Sequence, residues 1–135
     1  MNTPLDVPIP IDLQSHADAT AWEQKAMTVR PWRIEFFECF ATEIAKVQGS
    51  VRVLELGSGP GFLAAHLLAA LPNLSMVLLD FSKPMHDLAR ARLAPHLERV
   101  EFVERTLPSS GLAYGQPLMS NVRRRMNPPA LSSAT

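Results

Sequence analysis

The chain has 135 residues, enough for one domain with one sizeable core and too few for two ordinary domains. Its 13 Lys and Arg balance 13 Asp and Glu, so no overall field recruits a nucleic acid or an anionic membrane. The balance is uneven along the chain. Residues 108–135 hold Arg123, Arg124 and Arg125 and no acid, which leaves a mildly acidic body before them. The single cysteine, Cys39, lies in the apolar run I34-E-F-F-E-C-F-A-T-E-I44 and reads as a small buried hydrophobe in a reducing compartment. The N-terminus lacks a basic segment before an apolar core, and the longest apolar run, F62-L-A-A-H-L-L-A-A-L71, is half of the ~20 residues a bilayer needs. The expectation is a soluble cytoplasmic protein.

In chain order, Pro4, Pro8 and Pro10 make an extended start, and about Ser15 to Met27 is polar and mildly helical. Residues 1–31 therefore read as a lead-in. From Trp32 to Val47, the residues Ile34, Phe37, Cys39 or Phe40, Ile44 and Val47 recur at three- and four-residue steps, which predicts an amphipathic helix closed by Gly49. V51-R-V-L-E-L56 is short, β-branched and bounded by glycines, a strand pattern. A helix over Phe62 to Leu71 ends before Pro72, and S75-M-V-L-L-D80 is a second buried strand. Pro84 opens a helix to about Ala94, with Leu88, Ala91 and Met85 assigned to the sheet side; R99-V-E-F-V-E104 alternates as a third strand. Strand, helix, strand, helix, strand at this spacing predicts a parallel α/β sheet over residues 32–107. Beyond it, 108–135 has no sustained period and reads as an irregular or disordered tail.

The turn after the first strand, G57-S-G-P-G61, puts three glycines where the main chain approaches a ligand without Cβ atoms in the way. A dinucleotide fingerprint would space them G-x-G-x-x-G over a pyrophosphate. Here the third glycine comes one residue early, and Glu55 stands two residues before the first. A carboxylate there suits a ligand with positive charge. Asp80, ending the second strand, lies where an acid would accept both ribose hydroxyls of a nucleoside.

E55-L-G-S-G-P-G61 resembles the first motif of class I S-adenosylmethionine-dependent methyltransferases, and L78-L-D-F-S-K-P-M85 resembles their second. The resemblance covers roughly Trp32 to Thr106 and implies a Rossmann-like parallel sheet with flanking helices, incomplete at about three strands. It also implies S-adenosyl-L-methionine as cofactor. Gly57, Ser58, Gly59 and Gly61 would line its methionine part and Glu55 would act on its amino group, directly or through water. Asp80 would bind the ribose hydroxyls, with Phe81 and Met85 packing near the adenine. The activity implied is methyl transfer to a small-molecule acceptor, with no nucleic-acid or membrane partner.

Other readings of the same residues remain open: an NAD(P)-binding fold, or a module that binds the cofactor or a partner chain without turnover. Asp80 or Ser82 would also serve to cap the helix opened by Pro84. His16, His66, His86 and His96 have no metal-site spacing, and His66 reads as a half-buried imidazole on a helix. Family members commonly carry seven strands, so the loss of pattern after about residue 107 reads as a truncated or divergent end. It predicts an unpaired edge on the first or third strand, which would admit a homodimer through that edge.

Overall fold

The computed structural model describes residues 11–105, so the expectations for residues 1–10 and for the 108–135 tail lie outside the described residues. Two helices come first, α1 (His16–Val29) and α2 (Arg33–Ala45), followed by β1 (Val51–Leu56), α3 (Phe62–Ala70), β2 (Leu74–Asp80), α4 (Lys83–Arg92), a 3-10 segment (Ala94–Arg99) and β3 (Val100–Glu104). The strands form one parallel sheet in the order β1-β2-β3, with Val51 opposite Leu74 and Met76 opposite Val100.

Parallel strands carry apolar residues at nearly every position, and β2, with a neighbour on each side, is buried or half-buried throughout. Its Leu74, Met76 and Leu78 alternate onto one face and meet Ala64, Leu67 and Leu68 of α3 and Ala89 of α4, joined by Leu93. The helix layer therefore covers that face, with α2 packed on α3, α3 on α4, and α4 on α1. On the opposite face Arg52 and Glu101 form a half-exposed ion pair at 2.8 Å across the central strand. Among the described residues, β1 and β3 each have a free edge, as expected from sequence.

Two packing expectations are corrected. The apolar stripe assigned to the helix over Trp32 to Val47 is split between two sides of α2. Phe37, Ala41 and Ile44 turn inward, while Ile34, Phe36, Phe40 and Val47 are each roughly half exposed and Cys39 is exposed rather than buried. On α4 the core positions are Met85, His86 and Ala89; Leu88 is half-buried and Ala91 exposed, because Ala89 is the small residue that lets α4 approach the glycine turn.

Helix ends are secured from a distance. Ser82 caps α4, its hydroxyl accepting from the Met85 N–H at 3.1 Å while donating to the Leu13 carbonyl. The Arg99 guanidinium donates to the carbonyls of Leu68 and Leu71, acceptors that the end of α3 leaves over, and to that of Leu74 at the start of β2, at 2.8–3.0 Å.

Candidate functional site

β1 delivers the chain to the carboxyl edge of the sheet, where Gly57, Gly59 and Gly61 adopt φ values of 66°, 57° and 84°. At Gly61 the requirement is twofold: left-handed backbone, and a Cβ that would stand 3.2 Å from the Cβ of Ala89. That glycine seats α3 against α4. At Gly57 and Gly59 a Cβ would meet nothing within 4 Å, so their backbone borders open volume.

The hydrogen bonds of this turn decide what it can hold. The Gly57 and Ser58 N–H groups both donate to the Leu79 carbonyl, at 2.8 and 3.2 Å; the Gly61 N–H donates to the Ser58 carbonyl. The Gly59 N–H donates to Asp80 Oδ2 at 2.8 Å. Pro60 has no N–H. Every amide within the turn is thus occupied, unlike a phosphate cradle, which works through free amides. The unfilled polar atoms are Glu55 Oε2 and Ser58 Oγ, both buried and without a partner. The first amides of α3 have neither a helical acceptor nor a side-chain cap.

Asp80, 6% exposed, is held from two sides: Oδ2 by Gly59 and Oδ1 by the Ser82 N–H at 2.9 Å. Each oxygen keeps a lone pair. Burial first, and the nearby Asp80 charge second, push the Glu55 carboxyl up to about 7. Two carboxyl groups at one glycine turn, one of them lacking a hydrogen-bond partner on a buried oxygen, form an acceptor-rich site that a cation would complete.

Phe81 follows at the surface, 45% exposed, with its carbonyl accepting from Gln14 Nε2 at 2.9 Å. Met85 instead lies in the core at 2% exposure. The structure thus brings Glu55, Gly57, Ser58, Gly59, Gly61, Asp80 and Phe81 to one end of the sheet and sets Met85 beneath it. Ser82, rather than Asp80, is the cap of α4, so the two acceptors divide the roles left open by the sequence. His66 is half-buried as expected, 3.3 Å from Glu38. No group of three or more His, Cys, Asp or Glu that could hold a metal occurs among the described residues.

One member of the site gave no sequence signal. Arg92 donates both terminal nitrogens to Glu23 Oε1 at 2.7 Å and one of them to the Pro60 carbonyl at 2.9 Å, while lying over the Phe62 ring at 3.9 Å. It fastens α1 to the turn. Its partner Glu23 is 69 residues away, beyond the reach of any local pattern.

A family model described as a methyltransferase domain matches residues 53–116, which span the glycine turn, Asp80 and β3. A solved structure from Methanococcus maripaludis, described as a candidate S-adenosyl-L-methionine-dependent methyltransferase, superposes with a TM-score of 0.54 at 22% identity over 70% of this chain and 45% of that one. That superposition establishes a Rossmann-like α/β fold. Methyltransferases from Geobacter sulfurreducens and Thiobacillus denitrificans, each in complex with S-adenosyl-L-homocysteine, match at 22% and 20% identity over 53% of this chain, both with a TM-score of 0.46. The chain spans 28%, 45% and 29% of the Geobacter, Methanococcus and Thiobacillus proteins, respectively. No helix among the described residues is long and apolar enough to cross a membrane.

Proposed function

We propose that the glycine turn between Glu55 and Asp80 binds S-adenosyl-L-methionine, and that the chain is the cofactor-binding part of a methyltransferase acting on a small molecule in the cytoplasm. The observation that carries this reading is the state of the turn: its amides are occupied while a buried carboxyl oxygen stands open beside a second carboxyl group. A pyrophosphate at the start of α3 would lie beside two acids, Glu55 and Asp80, which disfavours the NAD(P) alternative. A zwitterionic amino acid group finds both counterparts, Glu55 for its ammonium and the first amides of α3 with Ser58 for its carboxylate. Asp80 can accept ribose hydroxyls on its remaining lone pairs, and Phe81 offers the exposed apolar face for an adenine, with Met85 supporting from the buried side.

The bound sulfonium supplies an activated methyl group. The residues of this chain orient it: the turn sets its position, Asp80 restrains the sugar, and the buried surroundings of Glu55 exclude water. The neutral overall charge supports a small acceptor over a nucleic acid. The reading without turnover shares this site and differs only in lacking an acceptor.

Isothermal calorimetry tests the binding claim. S-adenosyl-L-methionine should bind the folded chain, and Asp80→Ala should weaken it by about 1–3 kcal/mol, the scale of ribose hydroxyls left unpaired. Tighter binding of NAD than of S-adenosyl-L-methionine would overturn it. Release of S-adenosyl-L-homocysteine in the presence of acceptor mixtures separates enzyme from binding module.

A further inference from the structure

Away from the glycine turn, the side of α1 that ends at Val29 and the start of α2 enclose a cleft of about 270 Å³. Trp22, Ala26 and Val29 give it an apolar wall, and Lys25, Arg30 and Arg33 stand around it. None of the glycine-turn residues lines it. Its size lies near the lower end of small-molecule sites, which start at roughly 300 Å³.

The charges around this cleft are unbalanced. Among the described residues, neither the Lys25 ammonium nor the Arg30 guanidinium has a hydrogen-bond or ion-pair partner. Arg33 is 5.3 Å from the centre of the Trp22 ring, a cation over an aromatic face. The single acid of the lining, Asp18, is already engaged, its Oδ2 accepting from the Asp12 N–H at 2.9 Å. Three cations beside one committed acid make a rim complementary to an anion. A half-buried indole with Ala26 and Val29 makes a wall complementary to an apolar body. The same rim repels the sulfonium ligand proposed for the turn, so this is a different site for a different ligand.

We propose that the α1–α2 cleft binds a small organic anion with an apolar body, of the aliphatic or aryl carboxylate class. The carboxylate sits between Lys25 and Arg30, and the apolar part lies along Trp22. Two exposed cations contribute modestly each, so the apolar contact supplies much of the affinity and the charges supply the selection.

Octanoate is the probe. In a Trp32→Phe background, which leaves Trp22 as the only indole, octanoate should change the emission saturably. A Lys25→Ala/Arg30→Ala variant should bind about tenfold more weakly. Octylamine, with the same chain and opposite charge, should leave the emission unchanged. The proposal is overturned if octanoate gives no saturable change, if octan-1-ol binds as tightly as octanoate, or if the double variant binds like its parent. Both substituted residues are exposed. Should circular dichroism nevertheless show lost helix, Lys25→Gln/Arg30→Gln takes their place under the same criteria.

Discussion

Glu55 is a carboxyl group whose surroundings favour the neutral form until a cation arrives. Its pKa rises from the ordinary 4.5 to about 7 through burial and the field of Asp80. The folded chain therefore holds a proton that the unfolded chain has released anywhere between those values. The stability contributed by this group is fully present below pH 4.5 and falls as the pH rises to about 7, by on the order of 3 kcal/mol. Glu55→Gln removes this titration, so its thermal midpoint should depend less on pH over that window and exceed the parent's at pH 8; parallel profiles would refute the assignment. Binding a cationic amino group favours the ionised carboxylate and expels the proton. Affinity for S-adenosyl-L-methionine should accordingly rise between pH 5 and 7 in the parent and stay flat in Glu55→Gln, as calorimetry in buffers of differing ionisation enthalpy would read.

Elements differ in how legible they were. The three strands were expected within one residue of where they lie, because central β2 is apolar on both faces, β1 is a short β-branched run and β3 alternates apolar with charged residues, each stopping at glycine or an acid. Helix faces were less legible. Around α2, Trp32, Phe36 and Phe40 repeat at four-residue steps beside Phe37, Ala41 and Ile44, giving two adjacent apolar stripes of the same period. Periodicity cannot say which of them meets α3, and the stripe with Ala41 does so because a small side chain allows the closest approach. The attachment of α1 was illegible, since it rests on Arg92 bonding to Glu23 and Pro60. Arg92→Ala should cost roughly 2–3 kcal/mol in urea unfolding, as expected for a partly buried charged hydrogen-bond network. It should also speed amide exchange throughout α1. Unchanged exchange in α1 would show that the helix is held by other contacts.

For the whole molecule, the described residues place all four helices on one face of a sheet with two free edges. Trp32, Phe36 and Phe40, at 51%, 56% and 52% exposure, continue an apolar surface along α2. Exposed apolar patches and open edges both promote association. Light scattering should show concentration-dependent self-association, reduced in Phe36→Ser/Phe40→Ser with little loss of stability, since neither ring is in the core. Association unchanged in that variant would point to the strand edges instead.

The order of strands and helices, the glycine turn and the two acids beside it were already determined by the sequence. Each rests on interactions between near neighbours or on the period of a single element. Tertiary structure alone decided that the turn's amides are all engaged, that Glu55 keeps an unpartnered oxygen and a raised pKa, that Met85 is buried while Phe81 is exposed, and that Arg92 holds α1 in place. These depend on groups far apart in the chain meeting in a low-dielectric interior, where burial sets both the cost of a charge and the value of its partner.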